Sequence, residues 1–119
     1  MRRKVVYVAG PFRAKDGWKT EQNVRRAEEL CYNVWKAGAV GVCPHTNSRF
    51  FDGALPDATW LDGYIELLSR CDALIAVSNW QDSKGTTAEI RYCEGCDKPV
   101  FYDMGALKKW LEVADGEDT

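Results

Sequence analysis

Short apolar runs alternate with amphipathic stretches along the whole chain. Lys4-Val5-Val6-Tyr7-Val8-Ala9 is rich in β-branched residues and stops at the turn pair Gly10-Pro11, so it reads as a first strand. Val24, Ala27, Leu30, Cys31, Val34 and Trp35 recur at helical spacing, which predicts a helix over residues 21–37. Gly38 is expected to cap its C-terminus. Residues 39–43 read as a second strand closed by Pro44, and residues 45–57, rich in turn formers and Phe, predict a loop. Trp60, Leu61, Tyr64, Ile65 and Leu68 mark a second helix ending near residue 70. Residues 72–77 form a third strand, apolar enough to be buried on both faces. A polar loop, 78–85, leads to a third helix capped by Thr86 or Thr87 and running to about residue 96. Residues 99–102 make a fourth strand, and Leu107, Trp110, Leu111 and Ala114 mark a last helix.

Strands that alternate with helices in this way predict an α/β fold with helices on both faces of a parallel sheet. Right-handed crossovers narrow it to a doubly wound, Rossmann-like or flavodoxin-like three-layer sandwich with four or five strands. Residues 1–114 are expected to form one domain and residues 115–119 an acidic, frayed tail. Ligands of such sheets bind beyond the carboxyl ends of the strands. That rule selects three loops, at residues 10–20, 44–56 and 78–87.

Composition narrows the chemistry. A chain of 119 residues can bury a core without staples. The net charge of −2 argues against binding to a nucleic-acid polymer. The charge is uneven: residues 1–36 hold nine positive and four negative side chains, leaving −7 for the rest. Arg13, Lys15 and Lys19 could therefore attract an anionic small molecule, or simply be solvated. One histidine, His45, excludes a His-rich metal site, and five cysteines with a lone Cys93-x-x-Cys96 pair lack the ligands of a zinc ribbon. Reduced structural thiols in a cytoplasmic protein are expected. No apolar run approaches a membrane span, and the basic start is too short for a signal peptide. Neither a metal nor a cofactor is expected.

The third loop carries most of the candidate chemistry. Ser83, Gly85, Thr86 and Thr87 precede a helix, where free amides and the helix dipole favour a phosphate. The spacing is not that of a Walker loop. Glu89 falls in the first turn of the predicted helix, where the dipole should favour its ionised form. An ionised carboxylate facing a sugar is the chemistry of glycosyl transfer; the bland alternative is a residue that merely complements the dipole. In the first loop Gly10-Pro11 provides a tight turn that lets backbone approach a ligand, although a dinucleotide G-x-G-x-x-G is absent. Tyr7 could aim a hydroxyl at the site or sit in the core. Trp80 should stand exposed, for a base or a subunit contact, whereas Trp18, Trp35, Trp60 and Trp110 are expected to pack.

These residues together resemble the nucleoside 2-deoxyribosyltransferase superfamily, in particular a small bacterial and phage branch of it. The matching pieces are Tyr7-Val8-Ala9-Gly10-Pro11, Asn23, Pro44-His45, Cys71-Asp72, Ser83-x-Gly85-x-x-x-Glu89 and Lys98-Pro99-Val100, and the resemblance covers residues 7 to about 102. The resemblance implies cleavage of the N-glycosidic bond of a (deoxy)nucleoside or its 5′-monophosphate, by transfer or hydrolysis. Glu89 would attack C1′ of the sugar, Tyr7 would orient that carboxylate, and Ser83 and Gly85 would receive a phosphate. Gly10, Pro11, Phe12, Asn23, Asn79, Trp80 and Thr86 are further candidate substrate contacts. A homo-oligomer, dimer or tetramer, is implied as well. A phosphoribohydrolase-type motif also resembles Lys84-Gly85-Thr86-Thr87-Ala88-Glu89, but its preceding Gly pair is missing.

One departure stands out. The superfamily places an Asp, thought to handle the leaving base, eight residues before the Asp that opens the third strand; here that position is Tyr64. Asp62 is the nearest substitute, but two residues are about 200° around a helix. His45, after Pro44, is the other candidate acid. The alternative function is a nucleotide-binding sensor that kept the pocket and lost efficient chemistry.

Overall fold

The computed structural model describes residues 2–118. Strands β1 (Val5–Ala9), β2 (Val40–Val42), β3 (Ala73–Ala76) and β4 (Val100–Phe101) form one parallel sheet in the order β2-β1-β3-β4. Helices α1 (Gly17–Lys36), α2 (Pro44–Ser48), α3 (Asp57–Ser69), α4 (Lys84–Gly95) and α5 (Met104–Asp118) complete the described residues, with short 3-10 turns at Arg49–Phe51 and Trp80–Asp82. The α/β sandwich expected from the pattern is the observed one, with four strands. No helix among the described residues is long and apolar enough to cross a membrane.

Strand periodicity sorts the core into two layers. Val6, Val8, Ala73 and Ile75 face one way and pack on Ala27, Cys31 and Val34 of α1 and Leu107 and Leu111 of α5. Tyr7, Ala9, Leu74 and Ala76 face the other way, onto Leu68 of α3 and Ile90 and Cys93 of α4. The direction of the crossovers reverses between β1 and β3, which pair from Val6 with Ala73 to Ala9 with Ala76. That junction is the switch point where ligands of such sheets bind.

Several boundaries differ from the sequence expectation. Helix α1 starts at Gly17, a turn before residue 21, because Asp16 accepts the Lys19 amide at 2.7 Å as its N-cap. Its C-terminal signal holds: Gly38 takes the left-handed φ of +96°. The predicted loop after β2 begins as helix α2, with Pro44 in its first turn, where its missing N–H costs nothing. Helix α4 starts at Lys84 rather than at the threonines, since Ser83 is its cap. The tail expected to fray from residue 115 continues α5 as far as Asp118, and Thr119 lies outside the described residues.

Candidate active site

Tyr7 is in the middle of β1, only 1% exposed, on the face covered by α4. Its hydroxyl donates to Glu89 Oε2. Because α4 opens at Lys84, Glu89 is in its second turn, where the dipole has largely faded, not in the first as expected. Burial therefore dominates and pushes the Glu89 carboxyl above the ordinary range, while the Tyr7 hydroxyl and the nearby His45 pull it down. Glu89 is therefore not the readily ionised first-turn carboxylate expected from the sequence. Tyr7 is driven far above the usual phenol range by burial first and then by the Glu89 charge, so it stays a donor.

His45 is in α2 and only 6% exposed. Its Nε2 lies 2.8 Å from the Pro11 carbonyl, which can only accept, so Nε2 carries a hydrogen. Nδ1 is buried without a hydrogen bond. Burial disfavours the imidazolium, but the Cys43 sulfur and the Pro11 and Gly10 carbonyls outweigh it and lift the pKa above the ordinary value. Phe12 packs edge-on to the ring at 5.8 Å. Cys43, two residues before His45, is itself held low by the buried Cys31 thiol against the opposing effect of burial, with help from His45. This thiol pair escaped the sequence reading, since Cys31 and Cys43 belong to different elements.

The first loop is shaped by packing. A Cβ on Gly10 would meet Val77 Cγ2 at 2.4 Å, so the close approach of Val77 accounts for the glycine. Pro11 is buried and Phe12 half-buried. Asn23 Nδ2 donates to the Phe12 carbonyl at 3.1 Å, which makes Asn23 a support for the loop. Arg13 is paired with Asp52 at 2.6 Å and Asp57 at 3.0 Å, so its charge is met from within the protein. Lys15 and Lys19 are exposed.

In the third loop the Ser83 hydroxyl accepts the Thr86 amide at 3.0 Å. It caps the helix, and the earlier amides of Lys84 and Gly85 remain outside the intrahelical ladder. A Cβ on Gly85 would find ordinary contacts, 3.8 Å to Ser83 Oγ, so no backbone crowding demands that glycine. Thr86 is 1% exposed with its hydroxyl unpartnered, and Asn79 Oδ1 is likewise buried without a partner. Trp80 is half-buried against Tyr102 at 5.5 Å and packs on the core layer of Tyr7, which corrects the expectation of a free aromatic. Two tryptophans expected to pack do the opposite: Trp18 is 69% and Trp35 48% exposed. Trp60 stacks on Phe51 and Trp110 packs on Phe101.

On α3, Asp62 is exposed and Tyr64 turns inward, as their angular separation requires. Asp62 is corrected as a catalytic candidate. The sequence marks Tyr64 as an apolar helix position and as a departure from the superfamily's Asp; in the structure its hydroxyl also donates to Ser48 Oγ at 2.5 Å and accepts from Asn47 Nδ2 at 3.2 Å. An open cleft of about 200 Å³ lies on the α1 side of the sheet, among Arg26, Asn33, Ser78, Tyr102 and Asp103. None of the sequence-predicted site residues lines it. All five cysteines are free, and no group of three or more potential ligands among the described residues could hold a metal ion.

Residues 4–103 match the family described as "Domain of unknown function (DUF7768)". That stretch is most of the chain, and the chain belongs to this family. No curated protein matches the sequence.

Proposed function

We propose that the protein is an N-glycosidase or 2-deoxyribosyltransferase acting on a (deoxy)nucleoside or its 5′-monophosphate, with Glu89 as nucleophile. The observation that carries the reading is the Tyr7–Glu89 hydrogen bond at the β1/β3 junction. A buried carboxylate aligned by a protonated phenol suits an attack on a sugar carbon that develops positive charge. In the first step a Glu89 oxygen bonds to C1′ as the C1′–N bond breaks, and the departing base takes the bonding electrons and a proton. His45 is the available acid: its raised pKa favours the charged form, and Nδ1 is the ring nitrogen not tied to Pro11. In the second step water, or the nitrogen of another base, attacks C1′ and releases the carboxylate. His45 takes back the proton. A 5′-phosphate would meet the amides of Lys84 and Gly85 at the start of α4.

The test is incubation with a panel of (deoxy)nucleosides and their 5′-monophosphates, with base release read by chromatography. Glu89→Ala is expected to reduce release by about 10^4-fold or more, the scale of nucleophile loss. Base release that survives Glu89→Ala overturns the mechanism. The second reading, a nucleotide-binding sensor, is favoured by one observation: the Tyr64 hydroxyl is already engaged by α2. That reading expects ligand-dependent thermal stabilisation without turnover.

A further inference from the structure

Helix α2 carries His45 and has little of its own to hold it together. It is five residues long and has no side-chain cap, and one isolated turn does not persist in water. Among the described residues the hydrogen bonds from its side chains to other elements run two ways, beside the Phe12 ring on His45, the packing of α2 against α1 and the pairing of its C-cap Arg49 with Glu21. His45 meets the Pro11 carbonyl. Tyr64 makes the other tie, with its hydroxyl 2.5 Å from Ser48 Oγ, 3.2 Å from Asn47 Nδ2 and 3.3 Å from the Pro44 carbonyl. All three partners are in α2, and they flank His45 on both sides in sequence. The Tyr64 ring is half-buried on the core layer that also contains Tyr7 and Ile90. One side chain thus touches the helix of the histidine at its tip and the layer of the Tyr7–Glu89 pair along its ring.

We propose that Tyr64 is a positioning residue that clamps α2 to α3 and so sets where His45 stands relative to Glu89. Its mechanistic meaning rests on the glycosidase reading above. With its donor spent on Ser48 and an acceptor lone pair on Asn47, the hydroxyl is committed to this clamp and is not free to protonate a leaving group. Loss of the hydroxyl leaves the Ser48 and Asn47 side chains short of a partner, and α2 then loses its hydrogen-bonded tie to α3 while its contacts to α1 and to the first loop remain.

His45 is the only histidine, so its imidazole protons can be followed without assignment ambiguity through a pH titration by NMR. Tyr64→Phe keeps the ring and deletes the hydroxyl. Its His45 midpoint is expected to fall toward the ordinary imidazole value, because the Pro11 and Cys43 contacts that raise it loosen. In activity assays kcat should drop about 10- to 100-fold with KM within about twofold, as for a misplaced rather than missing group. Ser48→Ala should move the midpoint in the same direction by less, and it serves as the test if Tyr64→Phe does not fold. A folded Tyr64→Phe, or failing it a folded Ser48→Ala, with an unmoved His45 midpoint overturns the proposal. If the midpoint moves but the wild type releases no base from any substrate, the clamp stands and the glycosidase reading fails. If base release continues unchanged in Tyr64→Phe and His45 is unmoved, the clamp fails and that reading stands.

Discussion

The Tyr7 hydroxyl donates to a Glu89 carboxylate oxygen, joining the middle of β1 to the second turn of α4 across 82 positions of sequence. The bond exists because β1 and β3 are neighbours and α4, which follows β3, returns over the face to which Tyr7 points. It sets two buried groups against each other. The phenol is kept protonated by burial and by the carboxylate charge. The carboxyl is raised by burial and lowered by the phenol. A carboxylate held in this balance is neither a surface charge nor a permanently neutral acid, which is what a nucleophile in a dry site requires.

Tyr7→Phe removes the larger of the two influences that favour the ionised form, the other being His45. The Glu89 pKa is expected to rise further, and the acidic limb of the pH–rate profile should move to higher pH. The carboxyl titration, followed by carbon NMR, checks the same shift without substrate. A carboxylate left without its donor also costs about 1–3 kcal/mol of stability at neutral pH, measurable by urea unfolding. An unmoved titration would mean that the phenol does not tune Glu89.

His45 makes a signed prediction about stability. Its folded pKa lies above the ordinary value, through Cys43, Pro11 and Gly10 acting against burial. Such a group contributes stability that is full below the unfolded pKa, about 6.5, and is lost as pH rises through the folded value. The stability difference between wild type and His45→Gln should therefore be largest near pH 5.5 and shrink by pH 8–9. Urea unfolding at stepped pH measures it. A difference that grows with pH would reverse the assignment.

How much of this was legible beforehand depends on the range of the signal. The four strands and most of the packing faces of the longer helices are written in local periodicity and were readable, although Trp35 and Leu61, counted among the apolar positions, are exposed. Ser83, Glu89, Tyr7 and His45 were readable as candidates because each lies in or beside a segment that follows or forms a strand of the sheet, although Tyr7 is in the middle of β1 and Glu89 in the second turn of α4. The roles of Ser83, Gly10 and Asn23 were not, since cap, packing contact and loop support are set by partners elsewhere in the chain. Helix α2 was missed because five residues give no period to detect. The Tyr64–Ser48 contact was invisible for the same reason, and with it the physical consequence of having Tyr where an Asp was expected.

Glu89→Gln should trade activity for stability. The raised Glu89 pKa means that ionisation costs the folded state, with stability present below the ordinary carboxyl value and lost as pH rises through the folded one. A neutral amide of the same shape avoids that loss. At pH 7 the variant is expected to be about 0.5–2 kcal/mol more stable than wild type, the range typical of relieved functional strain, and the advantage should vanish below about pH 4. Thermal or urea unfolding at the two pH values checks it. A variant less stable at pH 7 would show that the hydrogen bond from Tyr7 outweighs the burial of the charge.

Gly10→Ala tests the packing that shapes the first loop. The new Cβ would come within 2.4 Å of Val77 Cγ2 and 3.1 Å of Cγ1. Val77 cannot swing aside easily: it is buried in the α1 and α5 layer, and its amide donates to the Ala9 carbonyl at 2.9 Å. A β-branched side chain has few other rotamers to adopt. Overpacking of this kind costs about 1–3 kcal/mol. Strain at Gly10 also reaches Pro11, whose carbonyl meets His45, so the His45 titration should move as well. The decisive measurement is the double variant. Val77→Ala alone destabilises by lost burial, but combined with Gly10→Ala it opens the space that the new methyl needs. The pair should be less destabilised than the sum of the singles, with a coupling of about 0.5–3 kcal/mol. Strict additivity would show that the contact with Val77 is not what the glycine avoids.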